Sequence, residues 1–140
     1  MEILLSELIC DKGLPDIPLN GISADSRKIK KGYLFVSLSG SKYEGNDFIG
    51  DALSKGAAAV ITDKPPKKNN VKGLPVFCLA NLRQDLGEYA SRFFGFPSKN
   101  MQIIALTGTN GKTSVTHFLA QVMQERRFRA GIIGSLGYGE

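Results

Sequence analysis

The chain has 140 residues, of which 42% are hydrophobic and 22% charged, and its formal net charge is +5. This is the size of one ordinary domain with a sizeable core, and the composition excludes a disordered or low-complexity chain. No run of roughly 20 apolar residues is present, which excludes a membrane-spanning helix.

The cysteines, the histidine and the distribution of charge argue against a zinc protein, a secreted protein and a nucleic-acid-binding protein. Cys10 and Cys78 lie far apart and His117 is the one histidine, so we expect reduced thiols and no zinc site. The amino terminus carries acids rather than a basic segment, so we expect no secretory signal and a cytoplasmic protein. The positive charge fits nucleic acid or a phosphorylated small molecule. The lysines are concentrated in loop-like segments rather than on one helix face, so we expect no nucleic-acid partner.

Short strands and helices alternate along the first two thirds of the chain. The pattern predicts, in order, a helix at 2–10, strands at 22–25 and 33–38, a helix capped by Asn46 or Asp47 and ending near Ser54, strands at 57–62 and 75–79, and a helix capped by Asn81 and ending near Phe94. The last helix has apolar residues at spacings of three and four. The glycine and proline of residues 95–100 then interrupt the pattern, and we place a domain boundary there, between residues 1–98 and 99–140.

The second block is predicted to be one crossover of a parallel sheet: a strand at 102–106, a glycine-rich turn at 108–111, a helix at 112–125 and a strand at 130–134. One parallel pair cannot cover both faces of a sheet. We therefore expect the chain to be an amino-terminal fragment that contains a complete first domain and the opening of a second.

The turn inside this crossover is predicted to bind the phosphates of ATP or a related nucleoside triphosphate. Backbone N–H groups of such a turn and of the following helix start form a nest for anionic oxygens, and glycines let the backbone approach them. Lys112 supplies a charge for the terminal phosphates and Thr113 a hydroxyl for Mg²⁺. The general pattern has a glycine where this chain has Leu106, so the loop is a variant. The predicted ATP-binding residues are Gly108, Thr109, Asn110, Gly111, Lys112, Thr113 and Ser114.

Residues 104–114, which read IALTGTNGKTS, resemble the ATP loop of the Mur ligase family. The Asp25-Ser26-Arg27 and Leu34-Phe35-Val36 motifs, followed by Gly40 and residues 44–48, are similar to the amino-terminal domain of that family. The resemblance implies an α/β fold: a small mixed-sheet substrate-binding domain with flanking helices, then the opening strand, phosphate loop, helix and strand of a parallel-sheet ATPase domain.

Within the family, the chain resembles the branch that adds the third amino acid to UDP-N-acetylmuramoyl-L-alanyl-D-glutamate in peptidoglycan synthesis. The resemblance implies cleavage of ATP to ADP and phosphate through an acyl phosphate, a monomeric complete enzyme, and no catalytic residue or activity in these 140 residues alone. It also implies that the UDP end of the precursor contacts Ala24, Ser26, Ser41, Lys42 and Tyr43.

Several alternatives stay open at this point. The family also contains the ligase that adds D-alanyl-D-alanine, and the amino acid added by this protein is not indicated. The residues alone are also compatible with a nucleotide-binding module that makes no bond, or with a nucleic-acid-dependent ATPase. Without the resemblance, Asp25-Ser26-Arg27 could be a strand end with an Arg–Asp pair and a hydroxyl that bonds locally.

Overall fold

The computed structural model describes residues 2–40, 44–66 and 73–139. It divides into two compact units, Met1–Met101 and Gln102–Glu140. The division follows the glycine- and proline-containing segment 95–100. None of the helices in the described ranges is long and apolar enough to cross a bilayer.

The centre of the first unit is a parallel sheet of four strands in sequence order. These strands are β3 (Gly21–Ser23), β4 (Tyr33–Ser37), β5 (Ala59–Thr62) and β6 (Val76–Cys78). Two further strands, β1 (Ile3–Leu4) and β2 (Pro18–Leu19), form a separate antiparallel pair. All four central strands therefore present their carboxyl ends at the same edge of the sheet.

Helical segments cover both faces of this sheet. They are α1 (Leu5–Ile9), α2 (Ile49–Ser54), α3 (Leu82–Phe93) and 3₁₀ turns at Ser26–Lys28 and Gly45–Phe48; a third 3₁₀ turn, Pro97–Asn100, is exposed. Alternate strand residues face opposite sides. Leu34, Val36 and Ile61 join a core with residues of α1 and α3, whereas Phe35 and Val60 join one with residues of α2. A parallel sheet needs both faces covered, and the predicted α/β fold class is confirmed.

The second unit contains α4 (Lys112–Glu125) and the antiparallel pair β7 (Ile132–Gly134) and β8 (Gly137–Gly139). The bounds of α4 agree with the predicted helix. Much of the apolar surface of this unit is exposed, as at Ile103, Phe118 and Phe128.

Two predicted features of the second unit are wrong. Residues 102–106 form no strand; they lack a neighbouring strand to bond, and Ile103 is 68% exposed. β7 does not pair in parallel with that segment. It pairs antiparallel with β8, which a two-residue turn brings alongside it.

The amino terminus and the first central strand also differ from expectation. Ile3 and Leu4 pair with Leu19 and Pro18 instead of starting the helix, which leaves α1 shorter than predicted. β3 ends at Ser23 because the side chain of Asp25 accepts a hydrogen bond from the N–H of Arg27 and begins a turn there.

Candidate functional site

The loops at the carboxyl edge of the sheet carry most of the polar side chains that the first unit brings together. In open α/β sheets this edge is where ligands bind, because helix starts and loop backbones converge there. These polar side chains belong to the segments that follow β3, β4 and β5 and to the first turn of α3. Three clusters of them, around Asn46, Asp63 and Ser26, are fixed by hydrogen bonds.

Asn46 is buried and ties the end of β4 to the end of β5. Its Oδ1 accepts hydrogen bonds from the hydroxyls of Ser37 at 2.8 Å and Thr62 at 2.9 Å. Its Nδ2 donates to the carbonyls of Lys64 at 3.2 Å and Pro65 at 3.3 Å. The prediction that Asn46 or Asp47 caps α2 is wrong: the residue preceding α2 is Phe48, with no side-chain cap bond. Asn46 instead provides hydrogen-bond partners for buried hydroxyls. A buried hydroxyl without a partner would lower the free energy of unfolding.

Asp63 follows β5 and holds the first residue of the loop after β4. Its carboxylate accepts from the Ser39 N–H at 3.0 and 3.1 Å and from the Ser39 hydroxyl at 3.0 Å. Arg83, at the start of α3, contacts the same carboxylate at 3.4 Å and donates to the Ser39 carbonyl. Burial alone raises the pKa of Asp63, but the bonds from Ser39 and Arg83 outweigh it, and the pKa lies below its usual value.

The turn after β3 contains the predicted Ser26. Ser26 is buried, its carbonyl accepts from the Lys55 ammonium at 3.0 Å, and hydrogen bonds from Lys55 and from Ser26 lower the pKa of Asp51. Asp25 and Arg27 form an ion pair at 2.8 Å. This pair agrees with the alternative interpretation of the motif, whereas the Ser26 side chain bonds Asp51 of α2 and not the local backbone.

Of the other residues expected to contact a UDP group, the structure describes one. Ala24 is exposed at the carboxyl edge, two residues before Ser26. Ser41, Lys42 and Tyr43 lie outside the described residues. The stem of their loop is described: Ser39 and Glu44 form an antiparallel bridge.

The predicted phosphate loop lies at the start of α4 in the second unit. Gly108 and Gly111 have φ values of +144° and +78°, which side chains disfavour, and Gly111 is the residue that precedes the helix. No side chain caps this helix start, so its first N–H groups are available for an anion. The Lys112 ammonium donates to the Gly108 carbonyl and lies 3.5 Å from that of Thr109. Thr109, Asn110, Thr113 and Ser114 are exposed around it.

This arrangement fits a phosphate group better than a protein-held metal. The donors are N–H groups and an ammonium, which bind anions. Within the described ranges, no group of three or more His, Cys, Asp or Glu side chains could hold a metal ion. A Mg²⁺ ion here would take the Thr113 hydroxyl with phosphate and water oxygens, in the way Mg²⁺ is held with nucleotides.

Asp63 and Arg83 are polar residues of the carboxyl edge that sequence reasoning missed. Neither residue lies in a recognised motif, and no role was predicted for either. One signal was present: an acid directly after a buried strand lies at the carboxyl edge, where it can meet loop N–H groups.

Family models match both units of the chain. A model described as "Mur ligase family, catalytic domain" matches residues 18–94, and one described as "Mur ligase middle domain" matches residues 106–140. Together they include the carboxyl-edge residues and the phosphate loop.

Two curated relatives from different bacteria have the same name. The UDP-N-acetylmuramoyl-L-alanyl-D-glutamate–2,6-diaminopimelate ligase of Coxiella burnetii is 42% identical over 125 residues, which are 89% of this chain and 26% of the relative. The ligase of that name from Alkalilimnicola ehrlichii is 39% identical over 133 residues, 89% of this chain and 27% of the relative. The chain thus spans about a quarter of the length of the relatives it matches.

Solved structures agree on the fold. A structure of a UDP-N-acetylmuramoyl-L-alanyl-D-glutamate–2,6-diaminopimelate ligase matches 99% of this chain and 29% of its own, with a TM-score of 0.72 and 28% identity. The MurF ligase of Thermotoga maritima, solved in complex with ADP, matches 75% of this chain and 23% of its own, with a TM-score of 0.57 and 24% identity. The second likeness concerns the fold alone.

Proposed function

Because the chain belongs to the Mur ligase family, we propose that it serves an ATP-dependent ligase that adds the third amino acid to UDP-N-acetylmuramoyl-L-alanyl-D-glutamate. The observation that carries this proposal is the identity of 42% and 39% to diaminopimelate-adding ligases across both units of the chain. Diaminopimelate is accordingly the amino acid we propose. Such a ligase works in the cytoplasm, where ATP and nucleotide precursors are present.

We propose that the phosphates of ATP bind Gly108–Ser114. The left-handed glycines and the uncapped start of α4 support this site, since both leave N–H groups free for anionic oxygens. The Lys112 ammonium, which contacts loop carbonyls in the structure, would turn to the terminal phosphates. Thr113 would provide one oxygen to Mg²⁺, which when bound shields the phosphate charge.

The UDP end of the precursor is proposed to bind the carboxyl edge of the first unit. Ala24 would offer exposed backbone there, and the buried Ser26 would shape the turn beside it. Ser41, Lys42 and Tyr43, between the bridged residues Ser39 and Glu44, complete the proposed contacts. Binding the distant UDP group in its own unit would position the reactive carboxylate.

The two sites suit amide formation from a carboxylate, which is a poor electrophile until activated. The terminal phosphoryl group passes from ATP to a carboxylate oxygen, which releases ADP and forms an acyl phosphate. The amine then attacks the carbonyl carbon and loses a proton, and phosphate departs with the electrons of the broken C–O bond. Lys112 and the helix-start N–H groups would stabilise the charge on the transferred phosphoryl group.

The test is phosphate release by the complete protein that carries this chain, measured with ATP, the UDP-linked dipeptide and diaminopimelate. We expect release to require all three, and Lys112→Ala to lower it by about 10²–10³-fold, as for loss of one transition-state charge donor. Lys99→Ala is the matched control, because Lys99 lies over the Phe96 ring in the first unit. Release independent of the dipeptide would contradict the proposal, and binding without turnover would favour a non-catalytic module.

A further inference from the structure

Both backbone groups of Ser39, at the carboxyl edge, are held by side chains from distant parts of the first unit. Asp63 accepts from its N–H at 3.0 Å and from its hydroxyl at 3.0 Å. Arg83 donates to its carbonyl. The two partners also contact each other at 3.4 Å. Asp63 lies at the end of β5 and Arg83 at the start of α3, so Ser39 is held from two directions.

The other end of the same loop is fixed as well. Glu44 bridges to Ser39, and its carboxylate pairs with the Lys64 ammonium at 3.3 Å. The Gly45 N–H donates to the Leu38 carbonyl at 3.1 Å. The stem formed by residues 38–39 and 44–45 is therefore tied to the residues that follow β5.

The negative charge of Asp63, beside this stem, is stabilised by protein hydrogen-bond donors rather than by water alone. The Asp63 side chain is only 16% exposed, and a carboxylate in such surroundings needs hydrogen-bond donors. Hydrogen bonds from Ser39 and Arg83 keep its pKa below the usual value, so it is ionised at neutral pH. Arg83 supplies the positive charge that pairs with this carboxylate.

We propose that Asp63 and Arg83 are positioning residues for the UDP end of the precursor: they hold Ser39, and with it the loop stem, in the arrangement that the ligand meets. This inference rests on the proposed function. A loop stem ordered in advance removes an entropy cost from binding, so the affinity for the ligand rises without a direct contact.

A purely structural role would give a different result, and α3 offers a matched control. Arg92 lies on the same helix, donates to the Leu8 carbonyl and pairs with Glu88 at 2.5 Å. It therefore makes the same two kinds of contact as Arg83. Its carbonyl partner belongs to α1, however, and not to the carboxyl edge. The Arg92 side chain is 18% exposed and that of Arg83 61%, so loss of Arg92 should cost at least as much stability without touching the stem.

The experiment is calorimetric titration of the 140-residue chain with UDP-N-acetylmuramoyl-L-alanyl-D-glutamate, with thermal melting recorded for each variant. We expect Arg83→Met to weaken binding by about tenfold, because the stem would then hold the arrangement that the ligand meets only about a tenth of the time. Arg83→Lys, which keeps a cationic donor, should stay within about threefold of the original affinity. Arg92→Met should leave the affinity unchanged even where its melting temperature falls as much as that of Arg83→Met.

Two outcomes overturn the inference while leaving the proposed function intact. One is unchanged affinity in Arg83→Met, and the other is equal weakening in Arg83→Met and Arg92→Met. Failure of the unaltered chain to bind the ligand would be a different result, because it would remove the proposed UDP site itself together with the positioning role.

Discussion

A bidentate ion pair holds the turn after β3. Both oxygens of the Asp25 carboxylate accept from Arg27, at 2.9 Å from Nε and 2.8 Å from Nη2, and the Arg27 N–H donates to it at 3.0 Å. The side-chain bonds from Arg27 are the main reason why the pKa of Asp25 falls from 3.8 to about 2. Because this pKa is lowered by folding, the pair stabilises the turn above pH 3.8 and loses that effect as the pH falls to about 2.

Replacing the cation should restore the ordinary acidity of Asp25. We expect Arg27→Gln to raise the pKa of the Asp25 carboxyl from about 2 towards 3.8, measured by NMR titration of the carboxyl carbon. Lys28→Gln is the control, since Lys28 acts on Asp25 only through a weak charge effect. A titration midpoint that does not move in Arg27→Gln would show that the pair is absent in solution.

At the scale of elements, the pairing of β3 with β4 depends on a close contact between a glycine and an aromatic ring. Gly21 lies opposite Tyr33 in the register of the two strands. A Cβ atom added at Gly21 would lie 2.4–2.6 Å from atoms of the Tyr33 ring, which is too short for any real contact. The ring therefore covers the backbone of the edge strand only because position 21 has no side chain.

Gly21→Ala should accordingly displace the ring and destabilise the first unit by about 1–3 kcal/mol, the range for overpacking. In a Tyr33→Ala background the same change should cost much less, because the clash is gone. Chemical denaturation of the four chains of this double-mutant cycle gives the coupling directly. If the changes in the free energy of unfolding were additive for the two substitutions, the close contact between Gly21 and the Tyr33 ring would be contradicted.

Elements with a strong local pattern were predictable from the sequence, whereas partners distant along the chain were not. The apolar spacing in residues 81–94 and the turn before Lys112 fixed α3 and α4 closely. The segment 102–106 is as apolar as β5, yet it forms no strand, because strand formation depends on a neighbour that local pattern does not reveal.

The candidate site follows the same rule. Lys112 and Gly111 lie where the loop pattern put them, since a phosphate loop is a local feature. Whether nucleotide binds there stays a prediction. Asp63 meets Ser39 from 24 positions away and Arg83 meets it from 44 positions away. A period of two or of 3.6 residues predicts which face a side chain occupies, but not which distant side chain it contacts.

At the scale of the whole molecule, both described core clusters belong to the first unit. Their buried members lie between Leu5 and Phe93, and the division of the chain falls after Met101. The stability of the first unit should therefore be a property of residues 1–101, since burial of apolar side chains is the main favourable contribution to folding.

A chain shortened to residues 1–101 should unfold cooperatively, with a melting temperature within about 5 °C of the 140-residue chain, equivalent to roughly 1 kcal/mol. Circular dichroism melting measures this. A chain that ends at residue 81 is the matched control, because it lacks the Leu82, Tyr89 and Phe93 side chains that α3 adds to the core. Non-cooperative melting of residues 1–101 would show that the second unit is needed.

The contact between Arg92 and the Leu8 carbonyl joins residues 84 positions apart and has a consequence for synthesis on the ribosome. At translation rates of roughly 5–20 residues per second, α1 waits about 4–17 s for its partner on α3. During that interval Leu5 and Leu8, which are fully buried in the finished unit, have no α3 to cover them. The apolar side chains of α1 are therefore uncovered on the nascent chain until α3 is made, and a chaperone that binds apolar segments would be needed there.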